Sequence, residues 1–212
     1  DCTVMTALDS IAWTFNIRGS DVDCTPVGLS FVILHKDATA DFYIAPEKIT
    51  DEVRAHMGDS VRIHDRADFD AALAALGGQK VAVDPERAVA AIFVALEAAG
   101  ATIVRRRDPA VLPKAIKNSV ELNGTRAAHI RDGVAVSRYL KWLDDNAHLG
   151  GLDELSAAAQ LESFRKDTGK LLDLSFPTIS AAGPNSALPH YKADEGSNRP
   201  ITSGTLYLVD SG

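Results

Sequence analysis

The chain has 212 residues, 46% hydrophobic and 24% charged, a composition typical of a globular protein with one large or two modest domains. Its 22 Lys and Arg residues against 29 Asp and Glu residues give a formal charge of −7, which argues against a protein that binds nucleic acid or an anionic membrane. No apolar stretch reaches membrane-spanning length. The two cysteines, Cys2 and Cys24, show no zinc spacing, so we expect reduced thiols in a cytoplasmic protein.

Residues 1–108 alternate between helical and strand patterns, which is typical of an α/β layer. The polar turn 36–39 joins two apolar runs and predicts a hairpin, so we expect a mixed sheet with an antiparallel pair. The predicted strands are 29–35, 40–44, 60–64, 80–83 and 102–105, and the predicted helices carry apolar residues within 8–15, 49–57, 69–76 and 89–96.

The segment 108–113 breaks both periods and predicts a domain boundary. A long helix is predicted over 119–146, with one apolar strip at Ile130 and Val134 and a second strip on another side, which predicts a helix buried over much of its circumference. Asp153 is placed to cap a second helix that runs to about residue 166.

The candidate functional residues lie in the final stretch of the chain. Residues 174–180 predict a strand, 183–191 a turn-rich loop that delivers His190, and 205–209 a strand that ends in Asp210. A carboxylate at the end of an apolar strand is costly to bury unless it is paired or binds a metal. Since one carboxylate holds a metal poorly, we expect the other ligands to lie outside this sequence, as in an incomplete metallohydrolase. Taken alone, a loop histidine is more often solvated, and Asp-Ser-Gly is an ordinary turn.

Several motifs, in order along nearly the whole chain, resemble aminopeptidase P. Residues 113–121 (PKAIKNSVE) and 128–135 (AHIRDGVA) resemble the start of that family's catalytic domain. Residues 174–180 (LSFPTIS), 183–185 (GPN) and 190–191 (HY) resemble the family's substrate-side strand and loop, and 208–212 (LVDSG) resemble its metal-binding strand. Residues 8–13 (LDSIAW) and 16–21 (NIRGSD) resemble the middle domain of the family's long, three-domain form.

The resemblance implies a fold class and a domain order. It implies a creatinase-like α/β domain with a mixed sheet over 1–108, a linker over 109–117, and the truncated beginning of a "pita-bread" α+β catalytic domain over 118–212. The resemblance also implies that the first domain of the long form precedes Asp1, and a first residue other than Met suggests that upstream sequence has been removed.

The same resemblance implies an activity. Members release the N-terminal residue from peptides with proline at position two, using two divalent ions, commonly Mn²⁺, that share a water and turn it into the nucleophile. The metals are held by two Asp, one His and two Glu residues, of which this sequence contains only Asp210. His190 corresponds to the histidine beside the metals that orients the substrate backbone or the developing oxyanion. We therefore expect this chain alone to bind metal weakly and to be inactive.

Two alternatives stay open at this point. One is a prolidase or creatinase, which share the pita-bread scaffold, and the other is a non-catalytic module of that scaffold that binds protein partners. The expected partners of the intact protein are a proline-containing peptide and a second copy in a homodimer, with no nucleic acid and no membrane.

Overall fold

The computed structural model describes all 212 residues, which form two compact units. The first unit is Asp1–Lys117 and the second is Asn118–Gly212. No helix of either unit is both long enough and apolar enough to cross a bilayer.

The first unit is built on a mixed sheet, as predicted, and the sheet has six strands where five were predicted. The strand order is β4-β3-β2-β1-β5-β6, with β1–β2 and β2–β3 antiparallel and the other three pairs parallel. The central strand β1 has no counterpart among the predicted strands. The strands are β1 (Cys2–Met5), β2 (Ser30–His35), β3 (Ala40–Ile44), β4 (Val61–His64), β5 (Lys80–Val83) and β6 (Thr102–Arg105).

Helices cover both faces of this sheet. Val32 and Ile33 are neighbours in β2 but belong to different buried clusters, because successive strand residues point to opposite faces. One cluster includes Leu73 and Leu96 of α3 and α4, and the other includes Ile11 of α1. The helices are α1 (Leu8–Phe15), α2 (Asp51–Met57), α3 (Phe69–Ala74), α4 (Ala90–Ala98) and α5 (Val111–Ala115), the last lying within the segment predicted as a linker.

The second unit combines a helical hairpin with a two-stranded antiparallel sheet. The long helix α6 (Ser119–Asn146) has the predicted bounds and is followed by α7 (Glu154–Lys166), which Asp153 caps as expected. Strands β7 (Ile179–Ala182) and β8 (Tyr207–Asp210) pair in register from Ile179 opposite Asp210 to Ala182 opposite Tyr207. A core that includes Tyr139, Leu161 and Ala182 joins the hairpin to the sheet.

Two predictions for this unit are wrong. The strand predicted at 174–180 begins only at Ile179, since Pro177 has no N–H for a ladder and residues 174–178 have no strand opposite them. The predicted burial of α6 is also wrong, because only Ala135 and Tyr139 of its 28 residues are buried. Ile130 and Val134, which were expected to pack, are exposed.

Candidate functional site

The loop that follows β7 turns sharply and carries His190 to the surface. Gly183 begins a 3₁₀ turn with φ 57, a left-handed conformation that glycine adopts without a steric penalty. Pro184 lies inside the turn and Pro189 precedes His190, so two of the loop's φ angles are fixed by proline rings. One wall of an open cavity is formed by residues 186–190.

His190 has an unusual backbone. Its φ is 54°, in the left-handed region, where the conformation costs a residue other than glycine roughly 1–2 kcal/mol. Its imidazole is exposed, and neither the ring nor the backbone of His190 makes a hydrogen bond within the protein. Such a conformation persists only when its surroundings impose it, and such residues cluster at functional sites.

Asp210 is the last residue of β8 and lies on the same cavity. The premise that this carboxylate is buried is wrong for this structure, since Asp210 is exposed and has no desolvation cost to offset. The antiparallel pairing of β8 with β7 places Asp210 opposite Ile179, which also lines the cavity.

The cavity brings the two predicted site residues together although they are 20 positions apart in sequence. It has a volume of about 450 Å³, and His190 and Asp210 are its two ionisable lining residues. Its other walls are mostly apolar, with Leu188 and Leu208 among them. A pocket with apolar walls and a few polar groups is the usual form of a small-ligand or peptide site.

The donors present do not by themselves fit a divalent metal. Asp210 supplies the only carboxylate at the cavity, and no group of three or more His, Cys, Asp or Glu side chains in the chain is arranged so that it could hold a metal ion. Tight sites for divalent cations use several oxygen or nitrogen ligands at once. The 212 residues therefore do not contain a complete set of ligands for a divalent metal.

A buried carboxylate behind the loop was missed by sequence reasoning. Glu154, the first residue of α7, is 0% exposed. It accepts hydrogen bonds from the backbone N–H of Ala182 at 2.7 Å and of Arg199 at 3.1 Å, from Asn185 Nδ2 at 2.9 Å and from the Tyr191 hydroxyl at 2.7 Å. These donors come from residues 28 to 45 positions further along the chain, so no local pattern signals them.

The electrostatics of Glu154 follow from these contacts. Burial alone would raise the pKa of its carboxyl group, but the hydrogen bonds from Ala182, Tyr191, Asn185 and Arg199 outweigh it and hold the pKa below its ordinary value. Glu154 is therefore ionised at neutral pH. Glu154 also lies in the first turn of α7, where the positive end of the helix dipole stabilises a negative charge.

Two other acidic residues of the first unit serve the fold. Asp21 accepts hydrogen bonds from the Leu29 N–H and from Lys48 Nζ, each at 2.6 Å. Asp9 pairs with Lys114, which ties α1 to α5. Neither lies on the cavity that holds His190.

Two family models match the chain, one on each unit. The model described as the creatinase/prolidase N-terminal domain matches residues 1–121. The model described as metallopeptidase family M24 matches residues 123–212.

Curated relatives match almost the entire chain. A "Probable Xaa-Pro aminopeptidase P" of Leptosphaeria maculans is 36% identical over 220 residues, which cover 99% of this chain and 36% of the relative. The relative of the same name from Aspergillus clavatus is 39% identical and is covered over 33% of its length. The chain thus spans about a third of the length of these relatives.

Solved structures agree on the fold. An X-prolyl aminopeptidase from Caenorhabditis elegans, described as a cytosolic enzyme with a di-nuclear active site, has a TM-score of 0.88 at 31% identity, over 100% of this chain and 36% of that one. A Xaa-Pro dipeptidase from Bacillus anthracis has a TM-score of 0.73 at 20% identity, over 100% of this chain and 56% of that one, and shows the fold alone.

Proposed function

Because this chain belongs to the creatinase/prolidase N-terminal domain family and continues into a match to metallopeptidase family M24, we propose that it is part of a metal-dependent aminopeptidase. The proposed reaction removes the N-terminal residue from peptides with proline at position two. The observation that supports it most is the cavity shared by His190 and Asp210, in a chain whose relatives at 36% and 39% identity are named "Probable Xaa-Pro aminopeptidase P".

The two cavity residues take different roles in this proposal. His190 is the catalytic and substrate-binding residue, since an imidazole can donate a hydrogen bond to a peptide carbonyl oxygen or to the oxyanion that develops from it. Asp210 is a metal ligand, because an exposed carboxylate at a strand end can bind a cation without losing an existing partner.

We assign the remaining ligands to polypeptide outside these 212 residues. The reason is the single carboxylate at the cavity, together with the much greater length of the relatives. Two divalent ions, proposed here to be Mn²⁺, would lower the pKa of a water that they bind and so supply the nucleophile. The di-nuclear active site of the C. elegans enzyme supports the number of ions.

The organisation of the whole protein is part of the proposal. We assign residues 1–108 to a creatinase-like domain, 109–117 to a linker and 118–212 to the catalytic domain, with support from the two compact units that meet between Lys117 and Asn118. A homodimer in the cytoplasm is proposed from the family resemblance, and the C. elegans enzyme is described as cytosolic.

A prolidase is less well supported. Three structures called prolidase or Xaa-Pro dipeptidase are 18% to 20% identical to this chain and show the fold alone. A creatinase and a protein-binding module have no support from the relatives' names.

The test is peptide cleavage by the natural full-length protein loaded with Mn²⁺. We expect release of the first residue from a tripeptide Xaa-Pro-Yaa and little release from the matched Xaa-Ala-Yaa. The 212-residue chain under the same conditions should release nothing, because it has one metal ligand. Cleavage confined to Xaa-Pro dipeptides would point to a prolidase, and Mn²⁺-dependent cleavage by the 212-residue chain would contradict the proposed division of the ligands.

A further inference from the structure

Glu154 is a buried charge without a cation beside it. No Lys, Arg or His lies within ion-pair distance of this carboxylate, and all of its partners are neutral donors. A buried carboxylate whose hydrogen bonds are all made fixes the positions of the groups that donate them.

Those hydrogen bonds hold both ends of the segment that carries His190. Asn185 lies just before residues 186–190, and its Nδ2 donates to Glu154 Oε1 at 2.9 Å and to Oε2 at 3.2 Å. Tyr191 lies just after them, and its buried hydroxyl donates to Glu154 Oε2 at 2.7 Å. One rigid carboxylate at the start of a helix thus fixes the entrance and the exit of the cavity wall.

The segment between the two tethers has little else to hold it. Leu188 N donates to Asn185 O at 3.1 Å, and the Ser186 hydroxyl donates to Gly183 O at 2.6 Å. His190 itself makes no hydrogen bond within the protein and has a left-handed backbone. The hydrogen bonds of Asn185 and Tyr191 to Glu154, to each other at 2.8 Å and to Ser197 O therefore hold the two ends of the segment that contains His190.

We propose that Glu154 is a positioning residue that holds His190 at the cavity it shares with Asp210, through Asn185 on one side and Tyr191 on the other. This inference rests on the proposed function, in which His190 orients the substrate. Glu154 does not line that cavity, so it acts through the loop alone.

The test uses the full-length, Mn²⁺-loaded protein with E154Q, which keeps the shape of the side chain, and with Y191F, which removes the hydroxyl that bonds to Glu154, Asn185 and Ser197. We expect kcat to fall about 10- to 100-fold in each variant, with any rise in KM smaller than that fall, because His190 both orients the substrate and stabilises the developing oxyanion. The matched control is Y139F, which removes another buried phenolic hydroxyl of the same unit, bonded to Tyr207 at 2.8 Å and away from the cavity.

Y139F should retain kcat within about twofold. An equal loss in Y139F and Y191F at equal folded fraction would show a general effect of stability and overturn the positioning role. Wild-type kcat in both E154Q and Y191F would overturn it as well.

Amide hydrogen exchange separates this inference from the proposed function. In E154Q, the amide of Leu188, which donates to Asn185 O between the two tethers, should exchange at least about tenfold faster, while the amides of α6 stay unchanged. Exchange at the wild-type rate at Leu188 would overturn the inference even in an active enzyme. A wild-type protein that cleaves no Xaa-Pro peptide, yet shows the exchange change in E154Q, would refute the proposed function and leave the tether in place.

Discussion

The carboxylate of Asp41 organises one face of the first unit. Arg62 Nε donates to its Oδ1 at 2.7 Å, and His35 Nε2 and His64 Nε2 lie at 2.6 Å and 2.8 Å from its two oxygens. Burial alone would raise the pKa of Asp41, but the hydrogen bonds from Arg62, His35 and His64 outweigh it and hold the pKa far below its ordinary value. These contacts join β2, β3 and β4 across the sheet.

The depressed pKa of Asp41 predicts how stability depends on pH. A carboxyl whose folded-state pKa lies below its unfolded value of about 3.9 stabilises the fold at pH values above about 3.9. This contribution declines below that pH and is lost as the pH falls through the folded-state pKa. Asp41→Asn should therefore lower the free energy of unfolding by about 1–2 kcal/mol at pH 7. The difference from wild type should shrink progressively below about pH 4.

Urea titrations in a Trp142→Phe background measure this effect, since Trp13 then reports on the first unit alone. Asp59→Asn serves as the control, because Asp59 is exposed and makes no hydrogen bond. A destabilisation by Asp41→Asn that is the same at pH 3 and pH 7 would contradict the assignment.

Residue-scale predictability depends on how far away the partners are. His190 and Asp210 could be singled out because their local motifs resemble a known family, and the structure places both on one cavity. Glu154 could not, because its donors lie between Ala182 and Arg199 and become neighbours only after the chain folds. The exposure of Asp210 also depends on packing and not on its apolar lead-in.

At the scale of elements, helix ends are predictable because their signals are local. Asp153 Oδ1 accepts a hydrogen bond from Ser156 N at 2.7 Å, and Ser156 Oγ accepts one from Asp153 N at 3.0 Å, which together form a capping box at the start of α7. The α6 helix begins in the same way at Asn118 and Glu121. Strands are harder to predict, because β1 gains its partners from residues about 30 and 80 positions away.

The cap of α7 gives a second stability prediction. Asp153→Ala should lower the free energy of unfolding by about 1 kcal/mol, because Ser156 N loses its acceptor, and Asp153→Ser should restore most of it. Urea unfolding in a Trp13→Phe background, followed through Trp142 of the second unit, measures both variants. Equal stability of Asp153→Ala and wild type would show that the cap contributes nothing.

At the scale of the whole molecule, alternating patterns were enough to predict an α/β unit with a mixed sheet. They were not enough to predict how much of α6 is buried, since apolar spacing shows that a face can pack and not what packs on it. The same limit applies to the site. The 212 residues form one wall of the proposed centre, with a histidine, a carboxylate and the tethers that hold the loop.

The most direct test of this account is the effect of Asp210→Asn on the metal content and peptidase activity of the natural full-length protein. We predict loss of bound Mn²⁺ and a fall of at least about 100-fold in Xaa-Pro cleavage. Mutation of a residue that only supports a metal ligand already lowers metal affinity or activity about 10- to 100-fold. Asp173→Asn, the same change at an exposed residue outside the cavity, should leave both quantities unchanged. Full metal content and full activity in Asp210→Asn would contradict the account.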